Sequence, residues 1–417
     1  MHGLDIANIR LFTHRQLSFL GFLFLLAPLF EPASFSHIPS LAPLSTLYTL
    51  GKVVAVIVII TMFARKGSFS PFNAAMILLS ASIFCSTLIN EGNLFVWVST
   101  WGSYLSLVLL LSVALKSQHN EFFWAVFVLT TALSAVNLFS IIAFPEGVYS
   151  DGLLVNSKGD YFFWGQRNES IKIIIPSVLS SMILDYYAGK AISMRSVFAL
   201  SVGVLECVVG YSATSTVALT LLVIGVAFVR FKPLRSILNS YTFMGIFLIG
   251  TISIVHFRIT DVFASFLGDV LGRSATLTGR TIVWDLVSSL MDSTHTAFGY
   301  GVSGNQFLVF SNGLSHYAHA HDELLNIWFM GGIVALIIYL ALIALASKPL
   351  FSMRKDRLAS LIAVFLGCFY IVGFTEMISS LAFFFSLGIA SNYGNICRKA
   401  DYRREDFGLV GVMRDGQ

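Results

Sequence analysis

Charge is scarce in this sequence. Only 12% of its 417 residues are Asp, Glu, Lys or Arg, while 56% are hydrophobic and the mean hydropathy is +0.80. Soluble domains carry about 25% charged residues, so a string of soluble domains is excluded. Paired cysteines are missing too. Cys85, Cys207, Cys368 and Cys397 are scattered, which excludes a zinc ribbon or a disulfide framework. The short alternating strands of a membrane barrel are absent. No internal repeat stands out either, which weighs against inverted-repeat transporter designs. The net charge of +4 and pI near 8.8 do not call for nucleic acid as a partner, because the basic residues gather at the ends of apolar runs, where they set topology.

What the sequence has in abundance is apolar runs near the length of a bilayer crossing. In lipid every backbone polar group needs an internal partner, so these runs predict helices. The predicted crossings are 16–31, 47–64, 72–90, 93–115, 121–144, 171–189, 195–211, 214–230, 238–257, 322–347, 358–377 and 379–394. Leu17 to Phe30 follows Arg10 and Arg15 without a clean small-residue cleavage site, and reads as a retained first helix. With the N-terminus in the cytoplasm, 19 of the 26 Lys and Arg residues fall on the cytoplasmic side. Six (Lys158, Arg167, Lys172, Arg258, Arg273, Arg280) fall opposite, and Lys52 lies inside the second crossing. That asymmetry favours about twelve crossings with both termini cytoplasmic. The expectation is an all-α polytopic integral membrane protein, one membrane domain over 1–417, with long extracytoplasmic loops at 145–170 and 258–321. Long ordered loops often carry function. The six cations cluster in and beside these two, which points to an anionic ligand there.

Three segments of the second loop carry the candidate chemistry. Leu277-Thr278-Gly279-Arg280-Thr281-Ile282-Val283-Trp284 opens a stretch in which Ile282, Leu286 and Leu290 recur at helical spacing, with Val283 and Val287 beside them, predicting an amphipathic helix along the membrane surface. Arg280 at its start suits an anion, or simply lipid headgroups. Phe298-Gly299-Tyr300-Gly301-Val302-Ser303-Gly304-Asn305 allows unusual backbone geometry and close approach to a ligand. His316-Tyr317-Ala318-His319-Ala320-His321-Asp322-Glu323 runs into the tenth crossing. His321 would sit at that helix's N-terminus, where the dipole disfavours imidazolium and leaves a general base. Asp322 and Glu323 suit capping. Three histidines also allow a metal site, though His319 and His321 would not share a helical face.

In the first loop, Tyr161-Phe162-Phe163-Trp164-Gly165-Gln166-Arg167-Asn168-Glu169-Ser170 precedes Lys172. Its aromatics suit an interfacial belt or stacking on a sugar, and Arg167 and Lys172 are candidate phosphate contacts. Glu206 and Glu376 sit at outer helix ends, and a wet cavity would relieve the cost of their charge.

Gly279-Arg280-Thr281-Ile282-Val283-Trp284, then Phe298-Gly299-Tyr300-Gly301, then Ala320-His321-Asp322-Glu323-Leu324 with Gly331-Gly332 beyond, resembles the O-antigen ligase/polymerase superfamily, which includes O-antigen ligases and Wzy-type polysaccharide polymerases. The motif block spans about 278–335. The resemblance implies a GT-C-type glycosyltransferase of the inner (cytoplasmic) membrane that needs no metal or other cofactor. Its partners would be an undecaprenyl-diphosphate-linked glycan donor, a glycan acceptor, the lipid bilayer and a chain-length regulator, with no nucleic acid. Carried over by position, Arg280 would hold the diphosphate and His321 would activate the acceptor. Arg167, Lys172, Asn168, Trp284, His319 and Glu323 are the expected substrate-binding residues. The family often has a Ser-Arg pair where this chain reads Ser212-Ala213-Thr214-Ser215-Thr216. Without that arginine, the second phosphate contact would pass to Arg167 or Lys172. A repeat-unit polymerase is the expected activity, with a glycan ligase and, from another class, a lipid-linked oligosaccharide flippase as alternatives.

Overall fold

The computed structural model describes residues 14–149, 161–259, 280–302, 319–374 and 376–398. Leu277-Thr278-Gly279, Ser303-Gly304-Asn305 and His316-Tyr317-Ala318 lie outside them. Among the described residues the chain is helical, with only two isolated bridges, Tyr149–Tyr161 and Tyr161–Gln166.

The helices are α1 (His14–Leu26), α2 (Ala42–Lys66), α3 (Pro71–Ile89), α4 (Leu94–Ser117, with a π turn at Val98–Gly102), α5 (His119–Ala143), α6 (Ile171–Tyr187) and α7 (Met194–Val209). They continue with α8 (Ala213–Phe228), α9 (Ser240–His256, ending in a π turn), α10 (Arg280–Leu290), α11 (Ser293–Phe298), α12 (Glu323–Ser352), α13 (Arg357–Val372) and α14 (Leu381–Ser391). Every predicted crossing coincides with one of them. Five (α2, α3, α4, α5 and α12) are long and apolar enough to cross a membrane, and the shorter apolar helices include α8, α9, α13 and α14.

Local chemistry marks where these helices start. Ser70 accepts from Asn73 N ahead of Pro71, Asn239 from Tyr241 N and Thr242 N, Asp356 from Leu358 N and Ala359 N, and Ser380 from Phe383 N. Each satisfies an amide that the helix itself cannot. Helices apolar all round belong in the centre of a bundle. Accordingly α6 and α14 are buried along almost their whole length, whereas the apolar α2 stays largely exposed and suits a lipid surround.

Charges inside this apolar body have polar partners. Lys52 pairs with Glu31 at 2.7 Å, and Ser45 Oγ donates to the same carboxylate at 2.8 Å. Glu206 departs from expectation. It is buried and accepts from Ser134 and Asn137 rather than facing a wet cavity. Asn137 Oδ1 in turn accepts from Trp164 N, and Ser140 Oγ accepts from Phe163 N, so the first loop is stitched onto α5.

The glycine motifs have a packing explanation. α12 is broken at Gly332, whose φ of +68° and ψ of −170° only glycine adopts readily. A Cβ there would lie 2.1 Å from Ala297 O, and one on Gly299 (φ +70°) would lie 2.5 Å from the Met330 carbonyl carbon. The close approach expected of Phe298-Gly299-Tyr300-Gly301 is therefore made to the backbone of α12. Tyr300 N and Gly301 N donate to Phe329 O and Met330 O, each at 2.8 Å, and Ser86 Oγ also donates to Met330 O at 2.8 Å. These bonds satisfy carbonyls around the break, as an interrupted membrane helix requires.

Gly332→Ala should accordingly destabilise the fold by roughly 1–3 kcal/mol from backbone strain alone, and by more from the contact with Ala297. Thermal unfolding of the detergent-purified variant reads this directly, and an unchanged midpoint would contradict the packing account.

Candidate functional site

Three chain segments meet at one end of the bundle: the start of α10, the turn 319–322 before α12, and the segment between α13 and α14. Burial brings α10 there. Val283, Trp284 and Val287 pack with Ala320, Leu325 and Phe329 in a small core of their own. Of the apolar stripe, Val283 and Val287 are buried here and Leu286 and Leu290 pack against the same core, while Ile282 is 55% exposed. Seating α10 this way leaves Arg280, its first residue, beside α12.

The turn is tightly held. Asp322 caps α12 by accepting from Leu325 N at 2.9 Å. Glu323 is fully buried and accepts from Ile378 N at 2.8 Å, Ser379 N at 3.1 Å and Ser379 Oγ at 2.5 Å, while its own N–H donates to Gly373 O. The first residue of α12 thus fixes the segment that carries Glu376. α13 ends at Val372, five residues short of the predicted end at 377, so Glu376 lies outside the helix.

Glu376 is the junction of the site. Its Oε1 accepts from Arg280 Nη2, and its Oε2 lies 3.4 Å from His321 Nδ1. All three side chains are 11–18% exposed, so the cluster is shielded but reachable. Burial alone would raise the Glu376 carboxyl. The hydrogen bond with His321 and the charge of Arg280 outweigh it and hold the group at about 2, ionised. His321 has a φ of +52°, uncommon for a residue with a side chain. Its N–H donates to His319 Nδ1 at 3.2 Å, and the two rings lie 4.0 Å apart. An accepting Nδ1 requires a neutral imidazole, and burial, reinforced by His321, pushes His319 down to about 3.

A narrow cavity of about 70 Å³ opens beside this cluster, lined in part by Gln166, Asn168, Lys172, His319 and Glu376. Lys172, paired with Glu169 at 2.7 Å, shares that lining with Glu376, the partner of Arg280. His319, His321 and Glu376 also offer one ligand atom each within 4.8 Å of one another, a spacing that could hold a metal ion. The arrangement combines a fixed carboxylate, two imidazoles and two cations, Arg280 and Lys172. It could bind an anion and accept a proton close by.

The sequence-derived residues divide accordingly. Arg280, His321 and His319 form the cluster, and Lys172 and Asn168 line the adjoining cavity. Arg167 instead lies over the Phe162 ring at 5.4 Å. Trp284, expected to bind substrate, is 1% exposed and serves the α10–α12 core. Glu323, also expected there, is an internal anchor and caps nothing with its side chain. The first-loop aromatics form neither a belt nor an open stacking face at Tyr161 and Phe162, which are buried. Sequence reasoning singled out Glu376 as a costly charge but did not join it to Arg280 and His321. A carboxylate at a membrane helix end implies a cationic partner, which was the available signal.

No curated protein and no solved structure matches the chain. A family model described as O-antigen ligase matches residues 197–340, about a third of the sequence, including Arg280, His321 and the glycine pair at 331–332 but neither Lys172 nor Glu376. Over that stretch the chain is similar to the O-antigen ligase family.

Proposed function

We propose that this chain is a glycosyltransferase that polymerises undecaprenyl-diphosphate-linked oligosaccharide repeats into surface polysaccharide, at the outer face of the cytoplasmic membrane. The observation that carries the reading is the convergence of Arg280 and His321 on the single carboxylate of Glu376. A lipid diphosphate leaves with its negative charge already in place and needs cations more than an acid. A neutral sugar hydroxyl needs a base. The cluster supplies both within a few ångströms.

In this scheme Arg280 binds the donor diphosphate, and Lys172 supplies the second cation that the missing Ser-Arg pair would otherwise provide. Lys172 is preferred to Arg167 because it lines the cavity beside Glu376, while Arg167 is engaged with Phe162. The carboxylate of Glu376, 3.4 Å from His321 Nδ1, favours the tautomer protonated there, which leaves Nε2 to take the acceptor hydroxyl proton. The acceptor oxygen then bonds to the donor's anomeric carbon as the bond from that carbon to the phosphate oxygen breaks. The bonding pair leaves on the diphosphate, whose charge Arg280 and Lys172 stabilise. His319, neutral and half-buried, holds the His321 backbone in its turn. The same chemistry would serve a ligase, and the absent Ser-Arg pair is what favours the polymerase.

One observation favours a second reading, in which His319, His321 and Glu376 bind a metal. The guanidinium of Arg280 on the same carboxylate disfavours a dication there.

His321→Ala should cut polymer formation by a factor of about 10²–10⁴, the usual contribution of a general base, with membrane expression intact. Normal chain lengths in a deletion strain complemented by that variant would discard the base role. Arg280→Ala should cost on the order of 10²–10³ in rate, with partial recovery in Arg280→Lys; full activity of the alanine variant would remove the diphosphate contact. Chelator should leave polymerisation unchanged, and inhibition reversed by added metal would establish the metal reading instead.

A further inference from the structure

A second cavity, roomier than the one beside Glu376, also lies near charged groups. This cavity of about 330 Å³ lies at the other end of α13, between the turn after α6, the end of α8 and the start of α13. Met182, Val226, Val229 and Leu361 give it apolar walls, and Lys190 and Arg357 stand on its lining. Arg230 and Arg235 are near enough for their charges to act on Arg357.

This gathering of cations is held together by backbone and not by acids. Arg235 donates from Nε to Val229 O at 2.7 Å, from Nη1 to Lys355 O at 3.3 Å and from Nη2 to Arg230 O at 3.5 Å. One guanidinium thus ties the turn after α8 to the turn before α13 and fixes like charges side by side. The nearby carboxylates are already engaged. Asp356, also on the lining, accepts from Leu358 N, Ala359 N and the Tyr393 hydroxyl. Asp185 accepts from Arg195, Ser193 and Ser196. Among the described residues no carboxylate forms an ion pair with Lys190, Arg230, Arg235 or Arg357. Basic residues at helix ends set topology wherever they point. A topological role alone does not require Lys190 and Arg357 to line an apolar-walled cavity with Arg230 and Arg235 close by.

We propose that this cavity is a binding site for a phosphate ester, its cations taking the phosphate and its apolar walls the glycerol or acyl portion. An anionic phospholipid headgroup and a soluble glycerol phosphate share that chemistry. The site lies at the opposite end of α13 from Glu376 and does not depend on the transferase reading.

The test uses the full chain in phosphatidylcholine nanodiscs, with native mass spectrometry reading retained phosphatidylglycerol. The wild type should retain phosphatidylglycerol in preference to phosphatidylcholine. Lys190→Gln with Arg357→Gln should weaken that retention roughly thirtyfold, the scale expected for two cations at a membrane surface. The charge-keeping pair Lys190→Arg with Arg357→Lys should retain it, which separates lost binding from lost folding. Lys348→Gln with Lys355→Gln, off the cavity lining, should change nothing. Displacement of the bound lipid by soluble glycerol phosphate would identify a free ester as sufficient, and displacement only by a single-chain lipid would identify the membrane as the source; either supports the site. Equal losses in the two charge-removing pairs, or no preference for the anionic lipid together with no glycerol phosphate binding, would overturn it.

Discussion

A single carboxylate organises the functional end of this molecule. Glu376 accepts a guanidinium on one oxygen and faces an imidazole with the other. Moving a carboxylate into a poorly hydrated site is costly unless cations and donors replace its water. That requirement pulls Arg280 from α10 and His321 from the turn before α12 to the same place. It also gives the cluster a mechanistic property. An anionic ligand that engages Arg280 competes with Glu376 for the same cation, so binding at the guanidinium and basicity at the imidazole are coupled through one group.

Such a junction works only if its supports are rigid. Two features supply rigidity. The fully buried Glu323 fastens the start of α12 to the segment bearing Glu376 with bonds to Ile378 and Ser379. The glycines at 299 and 332 let the chain around the end of α11 lie against the broken helix at backbone distance, and Gly301 lets it lie as close to Thr87 of α3, where any side chain would collide. The positive φ of His321 fits this pattern, since strained backbone persists only where the surroundings over-determine it. Elsewhere the buried network of Glu206 with Ser134 and Asn137 does similar work, holding the first loop so that Lys172 reaches the cavity beside His319.

The helices were legible because lipid leaves few choices. A backbone that cannot bond to water must bond to itself, and an apolar run of sufficient length says where. All the predicted segments accordingly contain helices. Arg280 and His321 were legible through their motif and their positions at helix starts. What was not legible depended on contacts between distant segments. An aromatic and an acid beside a motif suit recognition, but the packing of α10 on α12 turns Trp284 inward, and bonds to Ile378 and Ser379 hold Glu323 inside. Along α10 the apolar stripe was legible, but only the neighbouring helix decides that Val283 and Val287 are buried while Ile282 is exposed. Glu376 stands 55 residues from His321 in sequence, and no spacing rule joins them.

The most direct test of the shared carboxylate is a double-mutant cycle on thermal stability, using Arg280→Gln, Glu376→Gln and both together in the purified protein. Removing either partner leaves the other charge partly buried and unpaired, whereas removing both does not. The two changes should therefore couple by about 0.5–3 kcal/mol, with the double variant more stable than the sum of the singles predicts. Additive effects would mean that Arg280 and Glu376 do not meet, and the site built on their contact would not exist.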